Sequence, residues 1–136
     1  MPQGRNKISE ALDVFLRVKA FVIERLSGED HTMDAVNLLH CGDVTASAPG
    51  GQRERSYAHV GHWPGTVCAE LIKFAELSLE HQVGILLHEF GHLGDEFGGE
   101  QGADRWVFVE LGVALEYRGA LDLQWVSAAD IERLGI

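Results

Sequence analysis

His88 and His92 stand four residues apart in the run His88-Glu89-Phe90-Gly91-His92, with a glutamate between them. On a helix of 3.6 residues per turn this spacing puts both imidazoles on one face, where they can converge on a single ion. Neutral imidazole nitrogen suits Zn²⁺ at about 2.0–2.1 Å, and the intervening Glu89 lies beside an activated water without having to ligate the metal. Glu89 is thereby placed to take a proton. The same short string arises by chance on charged helices, so its surroundings decide. Ile85, Leu86 and Leu87 precede it, and Phe90, Gly91 and Leu93 are apolar or small, which predicts a helix buried around its ligand face. Two buried histidines and a buried glutamate are costly unless a cation or hydrogen bonds satisfy them.

A catalytic zinc needs a third protein ligand, and the candidates downstream are Asp95, Glu96, Glu100 and Asp104. If two helices form an antiparallel hairpin turning near residue 96, His92 faces Glu100 and His88 faces Asp104. Glu100 and Asp104 are one helical turn apart and share a face, as the histidines do. This favours Glu100 as the third ligand. Asp104 would then accept the second ring N–H of His88, fixing its tautomer. A glutamate at a helix N-terminus is also favoured by the macrodipole alone, and Asp95 or Glu96 would replace Glu100 if the hairpin turned earlier.

The elements that must position these residues follow from periodicity. Ile8, Leu12, Phe15, Leu16, Val22, Ile23 and Leu26 recur at three- and four-residue steps, which predicts an amphipathic helix ended by Gly28. A short helix is expected from Thr32 through Met33, Val36, Leu39 and His40, stopping at Gly42. Residues 45–56, with Pro and paired glycines, read as an exposed loop, and Arg53 and Arg55 make it a candidate lid. Between Tyr57 and Glu76 the β-branched and aromatic content predicts a small antiparallel hairpin about the Pro64-Gly65 turn. Ser78 can cap the helix that carries the two histidines to about Leu93. From about Glu100 to Tyr117 a long helix is expected, nearly encircled by Trp106, Val107, Val109, Leu111, Val113, Ala114 and Leu115, and therefore buried. Trp125, Val126, Ile131 and Leu134 suggest one more packing helix.

At 136 residues, with 46% hydrophobic and 24% charged side chains, the chain has the size and composition of one globular domain spanning 1–136. A net charge of −10 repels phosphate backbones and anionic lipid surfaces, so neither nucleic acid nor a membrane is an expected partner. Cys41 and Cys68 form no C-x-x-C pair and are expected to be packed, reduced thiols in a cytoplasm. The first residues hold no unbroken apolar stretch, and no run approaches the roughly 20 apolar residues of a membrane span, so neither secretion nor insertion is expected.

With HEFGH followed by GEQGADRW, the sequence resembles the gluzincin zinc metallopeptidases, whose H-E-x-x-H helix is backed by a second helix carrying E-x-x-x-D. Within that group the A-D-R-W continuation is similar to the E-x-x-A-N/D-x-F pattern of the ImmA/IrrE family. The match covers about residues 78–117. It implies an α+β class, a mainly helical zincin-like domain with a small β-sheet or hairpin before the H-E-x-x-H helix. It also implies Zn²⁺ as cofactor bound by His88, His92 and Glu100, with Glu89 activating water and Asp104 supporting His88. The inter-motif loop is shorter than in typical gluzincins, and no appended DNA-binding module is seen. The metzincin pattern would need Gly at Asp95 and His at Gly98, and fails.

The expected function is therefore a zinc-dependent metallopeptidase, a cytoplasmic hydrolase cutting peptide bonds in a protein or peptide substrate with Glu89 as general base. An oxyanion donor is also needed, for which Tyr57, His59, His62 and Tyr117 are candidates. Alternation on a half-exposed strand is the favoured account of His59 and His62, while His31, His40 and His81 are expected to be structural. An exposed hairpin edge could pair with an extended peptide. The competing expectations are a zinc-stabilised binding or regulatory module that cleaves nothing and a structural domain with no metal.

Overall fold

A computed structural model describes residues 7–26, 35–40, 58–60, 65–95, 98–119 and 123–136, with the backbone alone at His59. The chain is a mixed helix and sheet structure built around one helix. Helix α1 (Lys7–Arg25) buries Ala11, Phe15, Val18 and Val22, a stripe at steps of four, three and four residues. Leu12 and Leu16, expected on that stripe, sit one position further round and are exposed. Strand β1 (Asn37–His40) comes next, then β2 (Ala58–His59), β3 (Thr66–Ala69) and the single turn α2 (Leu71–Phe74). Helix α3 (Leu79–Gly94) runs through the centre, with every residue from Gln82 to Gly91 buried. Helix α4 (Gly99–Trp106) follows and continues as a π-helical turn, Val107–Leu111. Strands β4 (Glu116–Arg118) and β5 (Leu123–Trp125) and helix α5 (Ala128–Leu134) complete the order.

The first sheet has the order β1-β3-β2, with β1 parallel and β2 antiparallel to the central, fully buried β3. The expected hairpin is thus present as Ala58↔Ala69 and His59↔Cys68, but it ends at Ala69. Beyond it, residues 71–74 form α2 instead of strand, because the Glu70 carboxylate accepts from the Lys73 amide at 2.7 Å and caps a turn. The helix expected from Thr32 to His40 is strand over residues 37–40, since four residues carry no decisive periodicity and β3 offers Leu38 and Leu39 a ladder opposite Val67 and Cys68. Thr32, Met33, Gly28, Gly42 and the loop 45–56 with Arg53 and Arg55 lie outside the described residues.

The long helix expected to reach Tyr117 is shorter. It stops at Gly112, whose φ of +74° is the left-handed conformation that closes a helix end, and residues 116–118 are strand. Its buried stripe is Gly102, Ala103, Val107 and Leu111, while Phe108 and Val109 are exposed, so it covers the core instead of forming its centre. Strands β4 and β5 form a separate antiparallel pair, and β5 packs on α3. The expected terminal packing helix is present as α5, capped by Ser127, although Trp125 belongs to β5.

Helix α3 takes the central place because α1, α4, β5, α5 and β2 all pack against it. Phe90 stacks on Phe15 of α1 with ring centroids 6.0 Å apart. Cys68 is a buried thiol in β3, and Cys41 lies outside the described residues. Among the described residues no helix is long and apolar enough to cross a membrane.

Candidate metal centre

Ser78 starts α3 as expected, its hydroxyl accepting from the His81 amide at 3.3 Å. Gly91, on the face of α3 turned to α4, has no Cβ, and this lets the two helices meet backbone to backbone. A methyl group there would lie 2.9 Å from the carbonyl carbon of Ala103 and 3.0 Å from its Cα. Ala103 is flanked on α4 by the positions that matter, so this contact brings Glu100 and Asp104 up to the two histidines.

The expected pairing is met on both rungs. His88 Nδ1 is 2.7 Å from Asp104 Oδ1, and His92 Nε2 is 2.9 Å from Glu100 Oε1. Glu100 also reaches His88, with Oε2 at 2.9 Å from Nε2. The His88 and His92 rings are nearly perpendicular, at 86°, with centroids 4.6 Å apart. Burial is graded across the group: the His88 side chain is 1% exposed, that of His92 18% and that of Glu100 73%. The cluster thus has a dry floor and an exposed carboxylate at its mouth.

Electrostatics follow from that arrangement. His88 has a carboxylate oxygen at each ring nitrogen, which calls for an N–H on both. Burial opposes that charge most strongly, but the hydrogen bonds to Asp104 and Glu100, with the charges of Glu89 and Glu100, carry its pKa up to about 10. Glu89 is buried, and burial raises its pKa to about 7 against the lowering pull of His88 and His92. Hydrogen bonds from His88 and then His92 hold the Glu100 carboxyl well below the usual range.

The donor set fits a divalent ion. One ligand atom each from His88, His92 and Glu100 lie within 4.8 Å of one another. A tetrahedral zinc with bonds of about 2.0–2.1 Å spaces its donors about 3.4 Å apart, within a small adjustment of the exposed Glu100. Two nitrogens and one carboxylate oxygen are a donor set that could hold such an ion, and Asp104 behind His88 is the kind of hydrogen-bond support that a metal-binding histidine ordinarily has.

Asp95, the rival third ligand, ends α3 with its carboxylate turned against Gly98 and Gly102 at the start of α4, away from the cluster. Glu96 lies outside the described residues, as do Tyr57 and His62. The backbone of His59, in β2, pairs with Cys68 of β3. Tyr117, expected as an oxyanion or substrate donor, donates its hydroxyl hydrogen to Asp104 Oδ2. His40 accepts from the Leu71 amide at 3.3 Å, and His81 bonds Ser78 Oγ at 2.9 Å and the Arg118 carbonyl at 2.6 Å. His31 is outside the described residues. Nothing in the sequence signals the tie from Tyr117 to Asp104, because the apolar pattern predicts a helix up to residue 117 and nothing local marks a strand there. No protein-family model, curated protein or solved structure matches this chain.

Proposed function

We propose that this chain is a small zinc-dependent metallopeptidase of gluzincin-like, ImmA/IrrE-like type, acting on a protein or peptide substrate. The observation that carries the reading is the convergence of His88, His92 and Glu100 on one point, with Asp104 behind His88. His88, His92 and Glu100 would hold the ion. Bound there, Zn²⁺ would supply Lewis acidity, polarising the scissile carbonyl and making water acidic enough to attack near neutral pH.

Glu89 adjoins His88 on the same helix, and its burial brings its pKa to about 7, where a carboxyl exchanges protons most effectively at neutral pH. It takes the proton of the attacking water and passes it to the leaving amine. Asp104 keeps the Nδ1 proton of His88 in place, so that Nε2 is the nitrogen presented to the ion. Among the described residues β2 is an outer strand of its sheet, and it packs against α3. In a cytoplasmic enzyme Cys68 would stay a thiol, as it is in β3.

The test is metal content by elemental analysis of protein purified without added metal or a metal-affinity tag, for wild type, Glu100→Ala and Asp95→Ala. Near-stoichiometric zinc in wild type and Asp95→Ala, lost in Glu100→Ala, is expected. Cleavage of unfolded protein substrates should then require Glu89 and vanish in Glu89→Gln with zinc retained. Metal without cleavage would leave a zinc-stabilised binding module. Absence of metal even after zinc reconstitution would overturn the proposal.

A further inference from the structure

We propose that Tyr117 is a positioning residue of this centre, holding Asp104 in the orientation that fixes His88, and that the β4–β5 hairpin is thereby a working part of the site. The inference rests on the metal-binding reading above.

Asp104 is engaged at both oxygens. Oδ1 accepts from His88 Nδ1–H at 2.7 Å, and Oδ2 accepts from the Tyr117 hydroxyl. A carboxylate held at one oxygen alone can swing about its side-chain torsions, whereas one held at two is fixed in plane and position. Across the ladder Tyr117 stands directly opposite Gln124 of β5. With its proton committed to Asp104, this hydroxyl is a support for the histidine and not a free oxyanion donor.

Strand β4 has three residues, all exposed, and buries too little to fix Tyr117 by packing. Its placement comes from three other ties. It pairs with β5, which packs on α3. The guanidinium of Arg118 lies 3.9 Å from the centre of the Trp125 ring. The Arg118 carbonyl accepts from His81 Nε2–H at 2.6 Å, and the other ring nitrogen of His81 meets Ser78 Oγ at the start of α3. His81 and His88 are seven residues apart, about two turns, and so lie on nearly the same side of α3. One helix thus carries both the imidazole to be oriented and the anchor for the strand that orients it. Tyr117 is 43% exposed, and its hydroxyl is the part that reaches Asp104.

The experiment measures zinc affinity by chelator competition, together with the visible absorption of the Co²⁺-substituted protein. It compares wild type, Tyr117→Phe, Asp104→Ala and the double variant. Tyr117→Phe keeps the ring, and melting of the metal-free proteins checks that the fold is retained. We expect Tyr117→Phe to weaken zinc binding about tenfold, the lower end for loss of an outer partner, and to shift the Co²⁺ bands. In the Asp104→Ala background the same change should add nothing, since the residue acts through Asp104. His81→Ala should weaken zinc in the same direction by less. Zinc affinity within twofold of wild type and an unchanged Co²⁺ spectrum in Tyr117→Phe would overturn this inference alone, as would an equal loss in both backgrounds. A wild type that binds neither ion would overturn the metal reading and this inference with it.

Discussion

Replacing Gly91 with alanine tests whether α3 and α4 must touch backbone to backbone for the centre to exist. The added methyl would stand 2.9 Å and 3.0 Å from the carbonyl carbon and Cα of Ala103. Carbon atoms in ordinary contact are about 3.5–4.0 Å apart, so α4 must retreat by about 0.5–1 Å. No rotamer change relieves the clash, because the obstructing atoms are backbone of a residue with 0% exposure. Overpacking of this kind costs about 1–3 kcal/mol, and the better helix propensity of alanine returns about 1 kcal/mol. The net loss of stability is therefore about 0–2 kcal/mol, and the variant should fold. The metal should suffer more. Glu100 and Asp104 move with α4 while His88 and His92 stay on α3, and ligand distances tolerate only about 0.2 Å. Zinc affinity should fall at least as far as the 10–100-fold typical of losing an outer partner. Chelator competition measures the affinity and urea unfolding the stability. An alanine variant with wild-type zinc affinity would refute the claim that this close approach builds the site.

Two further predictions concern the metal-free chain. Its stability should fall as pH rises. His88 holds its proton to about 10 in the fold but loses it near 6.5 when unfolded, so its contribution is full below 6.5 and lost towards 10. Glu89, raised from 4.5 to about 7, adds a loss between those values, and urea midpoints that rose from about pH 5 to about pH 9 would contradict both. Phe90→Ala should cost about 3–5 kcal/mol, because the ring is fully buried against Phe15. Phe108→Ala, with its ring 61% exposed on the π-helical turn, should stay within about 0.5 kcal/mol in the same urea titration, and equal costs would refute the burial pattern.

The cluster of His88, His92, Glu100 and Asp104 was legible in the sequence because all its geometry is local. Four residues separate His88 from His92 and four separate Glu100 from Asp104, so helical periodicity alone sets each pair on a face. Twelve residues join His88 to Glu100, a short enough connection that an antiparallel hairpin fixes which residues oppose. The long first helix and the serine cap of α3 were legible for the same reason. What escaped was set by partners far along the chain. Residues 37–40 are strand because Thr66–Ala69 lie beside them, 29 positions away in register. Nothing within Asn37-Leu38-Leu39-His40 distinguishes that outcome from a turn of helix. Residues 116–118 are likewise strand because β5 pairs with them and because a glycine in the left-handed conformation stops the helix at 112.

These two kinds of residue divide the work of the centre. The local part, α3 and α4, brings together every group that would touch the ion, and its spacing can be read from residues 88 to 104. The non-local part supplies constraint. Asp104 would still reach His88 without Tyr117, but its second oxygen would be unsupported, and the strand that brings Tyr117 is held by a contact between residues 81 and 118, 37 positions apart. Such a contact leaves no periodic trace, because each of its ends obeys the pattern of its own element. A sequence reading therefore reaches the groups between residues 88 and 104, Asp104 included, and misses the strand that holds Asp104 from outside that span.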